Sequence, residues 1–93
     1  MYGYAENKEQ LTARLSKVEG QVRGIQRMVT EDDYCIDILT QIAAANSALK
    51  KVAVVLLDDH IRHCVADAAR AGAQQRDAKI EEASAAIGRL LKA

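Results

Sequence analysis

His60 and Cys64 stand four residues apart in His60-Ile61-Arg62-His63-Cys64. On a helix that spacing puts both side chains on one face. An imidazole beside a thiolate is half a site for a soft metal ion. One further cysteine occurs, Cys35, in Asp33-Tyr34-Cys35-Ile36-Asp37. Two thiolates and one imidazole suit Cu(I) best. Zn(II) asks for a fourth ligand, which His63 or a carboxylate would have to supply. His63 shares the outward direction of His60 and Cys64 less well, so it is a substitute ligand or a supporting group. The plain alternative is that both cysteines are small buried apolar residues. A Cys–His nucleophile using His60 or His63 is the catalytic alternative. A small helical bundle offers little room for a substrate pocket, and no glycine-rich phosphate loop occurs. The chain is therefore not expected to be an enzyme, and no small-molecule substrate is expected.

The elements that must position these residues are helical. The chain has 93 residues, no Pro, no Trp and three Tyr as its only aromatics. Its apolar residues are mainly Ala, Leu, Ile and Val, which favours an all-helical protein. That length bounds it to one small domain, and its limited core makes oligomerisation an expectation. No apolar run approaches the roughly 20 residues that span a bilayer. The N-terminus lacks the basic start and apolar run of a signal peptide. The expected location is cytoplasmic, without a membrane partner, and the cysteines there are expected to be reduced.

Residues 1–4 read as a flexible tail and 5–93 as a single helical domain. Leu11, Leu15, Val18, Val22, Ile25 and Val29 recur at alternating spacings of four and three, an amphipathic seam expected to pack. Gly20 and Gly24 lie on one side and suggest a close helix approach. Thr30-Glu31-Asp32-Asp33 is a turn in which Thr30 or Asp32 is expected to cap the next helix. Helix 2 is expected from about Asp33 to Arg70, with Cys35 in its first turn. Its apolar stripe is broad over Val52–Leu57 and calls for partners on more than one face. Ala71-Gly72-Ala73 stops it, with Gly72 available for a left-handed position. Asp77 is expected to cap a third helix ending near Leu91.

Charge is balanced, with 13 basic and 13 acidic residues. That counts against a general polyanion binder and leaves room for a local basic face. Arg14, Lys17, Arg23 and Arg27 lie off the apolar seam. They form either a solvated face or a phosphate-contacting one; periodicity does not decide.

Helix length constrains the site. Cys35 and His60 are 25 positions apart, about 37 Å at 1.5 Å rise per residue. Cys35 cannot share an ion with His60 and Cys64 of its own chain unless the helix breaks. In an antiparallel pairing of two copies, Cys35 of one can reach His60 and Cys64 of the other. A two-fold dimer makes two such sites.

Three segments resemble a known family. They are Arg14-Leu15-x-x-Val18-Glu19-Gly20-Gln21-Val22-Arg23-Gly24-Ile25-Gln26-Arg27-Met28-Val29, then Tyr34-Cys35-Ile36-Asp37-Ile38-Leu39-Thr40-Gln41-Ile42, then His60-x-x-x-Cys64. They resemble the CsoR/RcnR family of metal-sensing bacterial repressors, nearest its copper-sensing branch of actinobacterial type. The resemblance implies three helices per chain, an antiparallel four-helix dimer core and a dimer of dimers. It implies an apo tetramer that binds the operator of a copper-efflux gene and leaves it when Cu(I) binds. The copper ligands of the family map onto Cys35, His60 and Cys64. No His precedes His60, unlike the nickel and cobalt branch. The formaldehyde branch lacks Cys at position 64 and the persulfide branch lacks His at position 60. Family DNA contacts map onto Arg14 and Lys51, with Lys17, Arg23, Arg27 and Lys50 as further candidates. Supporting groups that carry metal occupancy into helix position map onto Tyr34, His63 and Glu81, with Glu82 as the alternative acid. A thiol- or persulfide-responsive repressor and a copper buffer that binds no DNA are the competing readings.

Overall fold

The computed structural model describes residues 3–92, and every regular element among them is helical. A 3₁₀ helix spans Gly3–Asn7, α1 spans Lys8–Thr30, and α2 spans Cys35–Asp59. A π-helical segment, His60–Val65, follows directly and leads into α3, Ala66–Ala71. After Gly72 comes α4, Ala73–Lys92. Because α2, the π segment and α3 form one run of 37 residues from Cys35 to Ala71, the layout is three helices. Of the expected tail, residues 1 and 2 lie outside the described residues, and Gly3 and Tyr4 open the 3₁₀ turn.

The end of α1 departs from the expectation. Thr30 is still inside the helix, its hydroxyl donating to the Gln26 carbonyl at 3.0 Å. Asp32 does not cap α2; it ends α1. It takes the left-handed conformation at φ 57°. The Asp33 N–H then donates to the Met28 carbonyl at 2.9 Å and the Asp32 N–H to the Val29 carbonyl at 3.2 Å. These are the two bonds of a Schellman stop, with aspartate in the place glycine usually takes. Asp tolerates this conformation better than most residues do. Helix α2 therefore begins at Cys35, not Asp33. The Tyr34 carbonyl accepts its first bonds, from Asp37 at 3.0 Å and Ile38 at 3.2 Å.

Two compact units divide the chain inside α2. One is Asn7–Val54, and the other takes up the described residues on either side of it. In the first unit the buried side chains are Leu11 and Val18 of α1 and Ala45 and Val52 of α2. The apolar seam of α1 is thus only half used. Leu15, Val22 and Val29 remain 44%, 46% and 58% exposed. Gly20 marks no close approach, since a Cβ built there meets nothing within 4 Å.

In the second unit α4 packs against α3 and the π segment. Ala83 is its buried apolar side chain and Asp59 its buried acid. Gly72 separates α3 from α4 at φ 138° and ψ 167°, a region open essentially to glycine alone. It is not the left-handed helical position that was expected. The Arg76 N–H donates to the Gly72 carbonyl at 3.1 Å, so α4 starts one turn earlier than the expected Asp77 cap. The Cys35–Ala71 run is also long and apolar enough, by length and composition, to cross a membrane. The expectation concerned uninterrupted apolar runs, and the longest in this stretch is 52–57. Lys50 and Lys51 interrupt the apolar letters without lowering their average enough. The core helix of a soluble protein passes the same test.

Candidate metal centre

Helix α2 closes at Asp59, and the next six residues hydrogen-bond in the wider i→i+5 pattern. His60 is the first residue of that π segment and Cys64 the fifth. No glycine or proline marks the change, and nothing in the residue types foretells it. π-turns inside α-helices occur frequently at functional sites. Here one contains both members of the half-site.

His60 and Cys64 are half-buried, whereas His63 is exposed. Both cysteine thiols are free. The His60 side chain is 26% exposed, and its Nε2 lies 3.8 Å from Oε1 of Glu82 on α4. Glu82, not Glu81, is therefore the acid set beside the imidazole. At 3.8 Å the pair is just outside hydrogen-bond range. An Nε2–H that closes on the carboxylate leaves Nδ1 with its lone pair free to ligate. Metal-binding histidines commonly use their second nitrogen in this way. Lys79 also reaches this acid, its Nζ 3.8 Å from the same oxygen. Sequence reasoning gave Lys79 no role, although its i,i+3 spacing from Glu82 was visible.

Cys35 is exposed at the first position of α2, and Tyr34 before it is 67% exposed. Both belong to the Asn7–Val54 unit, while His60, His63, Cys64 and Glu82 belong to the other. Among the described residues no three His, Cys, Asp or Glu side chains gather as a metal site within one chain. His60 and Cys64 share the π segment, and Cys35 belongs to the other unit. As a donor set, two thiols and one imidazole fit a soft ion.

The basic candidates, Arg14, Lys17, Arg23 and Arg27 on α1 and Lys50 and Lys51 on α2, are all exposed. Arg23 is ion-paired with Glu19 one turn earlier. Among the described residues, no ion pair engages Arg14, Lys17, Arg27, Lys50 or Lys51. These five cations are available to an outside anion.

Comparison with known proteins adds a family to this geometry. A family model described as a metal-sensitive transcriptional repressor matches residues 7–89. The copper-sensing transcriptional repressor RicR of Mycobacterium tuberculosis is 55% identical over 91 residues, 98% of this chain and 95% of that one. The copper-sensing transcriptional repressor CsoR of Bacillus subtilis is 57% identical over 68 residues, 73% of this chain and 67% of that one. Among solved structures, the copper-sensing repressor CsoR with Cu(I) from Geobacillus thermodenitrificans has a TM-score of 0.85 at 41% identity, covering 94% of this chain and 88% of that one. The nickel-responsive regulator InrS has a TM-score of 0.73 at 36% identity, covering 88% and 90%.

Proposed function

From the premise that this chain belongs to the metal-sensitive transcriptional repressor family, we propose that it is a Cu(I)-responsive repressor. The observation that carries the reading is likeness over almost the whole chain to a copper-sensing repressor, joined to two thiols and an imidazole at Cys35, His60 and Cys64. These residues hold Cu(I) between two copies. Cys35 opens α2 and His60 follows its last residue. A helix advances 1.5 Å per residue, so residues at its two ends do not ligate one ion. Cu(I) supplies the link that ties two copies together at one position.

The second copy also answers the apolar surface. Leu15, Val22, Leu39, Leu49, Val54 and Ile61 are each more than 40% exposed. An antiparallel four-helix dimer core covers such side chains, and a dimer of dimers presents its basic residues to operator DNA. Arg14 and Lys51 contact phosphates, aided by Lys17, Lys50, Arg23 and Arg27. Residues 5–93 act as one domain in this assembly, and the protein works in the cytoplasm on the operator of a copper-efflux gene. No step of this reading needs a catalytic group.

The coupling is thermodynamic. Cu(I) must bind the conformation with lower DNA affinity more tightly, and DNA must weaken Cu(I) binding by the same factor. In this reading Tyr34, His63 and Glu82 carry occupancy of the site into helix position, and the approach of Glu82 to His60 at 3.8 Å supports the part given to Glu82. The test is an anaerobic Cu(I) titration of the protein bound to its own upstream DNA. Specific binding by the apo protein, lost as Cu(I) is added, is the expected result. Absence of specific binding at low salt sinks the proposal.

A further inference from the structure

We propose that Lys79 is a positioning residue for the metal site: it competes with His60 for the Glu82 carboxylate and thereby loosens the imidazole's hold. The proposal rests on the reading of His60 as a Cu(I) ligand. Oε1 of Glu82 lies 3.8 Å from Nε2 of His60 and 3.8 Å from Nζ of Lys79. One oxygen is thus shared by two nitrogen groups, and neither contact has closed to a hydrogen bond. Lys79 and Glu82 are three residues apart on α4, where side chains are neighbours. The acid and the ammonium therefore travel together, while His60 comes from the π segment against which α4 packs.

The chemistry follows from what each group can donate. Neutral imidazole has one N–H and one acceptor nitrogen. When Nε2–H donates to Glu82, the proton stays on Nε2 and Nδ1 keeps its lone pair for a metal. A carboxylate partner also fixes the ring and raises its basicity as a ligand. Lys79 draws the same oxygen toward itself and away from Nε2. It carries the full charge that makes the competition effective. It is also tethered, so the competition persists whether or not a metal is bound.

The test uses the full-length chain as Lys79→Met, Lys79→Gln, Lys79→Arg and Glu82→Gln, and as the Lys79→Met/Glu82→Gln double variant. The first readout is the nitrogen-15 side-chain signals of His60 in metal-free protein, all variants at one pH, which report the nitrogen bearing the proton. Lys79→Met and Lys79→Gln shift His60 toward the Nε2–H form, and Lys79→Arg, which keeps the charge, matches the parent. The second readout is Cu(I) affinity by anaerobic competition with a chromophoric chelator. The neutral variants bind about two- to five-fold tighter, the range expected of exposed charge pairs. In the Glu82→Gln background the effect of Lys79→Met disappears. Unchanged His60 signals and unchanged affinity in both neutral variants overturn the proposal. So does an equal effect with Glu82 already removed, because Lys79 then acts by another route. Failure of the parent protein to bind Cu(I) defeats the functional reading instead, and the metal-free signals still decide the role of Lys79.

Discussion

Nε2 of His60 and Oε1 of Glu82 lie 3.8 Å apart, joining the start of the π segment to the middle of α4. The imidazole and the last helix therefore meet at this pair. Glu82→Gln is expected to lower Cu(I) affinity by about 10- to 100-fold, the usual cost of losing a ligand's outer partner. Glu81→Gln is expected to leave it unchanged. Anaerobic chelator competition on both variants checks this. The reverse ranking would mean that the metal-bound state turns α4 to present Glu81.

Ligand loss should cost more than that. Cys35→Ala, His60→Ala and Cys64→Ala should each abolish the Cu(I) response while leaving apo DNA binding in place. Cys35→Ala chains co-assembled with His60→Ala/Cys64→Ala chains should regain one site per mixed dimer, measured as copper bound per protein. No copper in the mixed assembly would show that the ion is not shared between copies. A His60→Ala protein that still responds to thiol oxidants would instead support a thiol-sensing role for Cys35 and Cys64.

Phosphate contacts should appear in the salt dependence. Lys51→Met and Arg14→Met are each expected to weaken apo binding to every DNA sequence and to lower the salt slope by about one. Arg23→Met should do less, because Arg23 is already paired with Glu19. Fluorescence anisotropy across a salt series measures these slopes. A change at Arg23 equal to that at Lys51 would place both on the DNA-facing surface.

Gly72→Ala should destabilise the protein by about 1–3 kcal/mol. The backbone there sits at φ 138°, and an added Cβ would come 2.9 Å from Oε1 of Gln75. That side chain can swing away, so the cost is chiefly the backbone conformation. Thermal unfolding of metal-free protein at fixed concentration is the measurement. No loss of stability would mean that the α3–α4 connection adopts another conformation in solution.

Much of the local structure was legible because period and punctuation are written in the residues. The four-and-three spacing of Leu11, Leu15 and Val18 announced α1, and Gly72 announced a break. The errors came where one signal fits two roles. Asp32 is as good a helix start as it is a helix stop, and the Schellman bonds at Met28 and Val29 made it the stop. Asp77 read as a cap, yet the turn before it was already helical from Ala73.

By itself the sequence determined the helical class, the thiol and imidazole chemistry at Cys35, His60 and Cys64, and more apolar surface than one chain covers. Side-chain chemistry and helical period suffice for those. Only the tertiary structure decided that Glu82 faces His60, because choosing between adjacent positions means knowing how α4 is turned against the π segment. It also decided that His60 and Cys64 sit in a π segment. No residue type there encodes that hydrogen-bonding register, so it depends on how the chain packs around it.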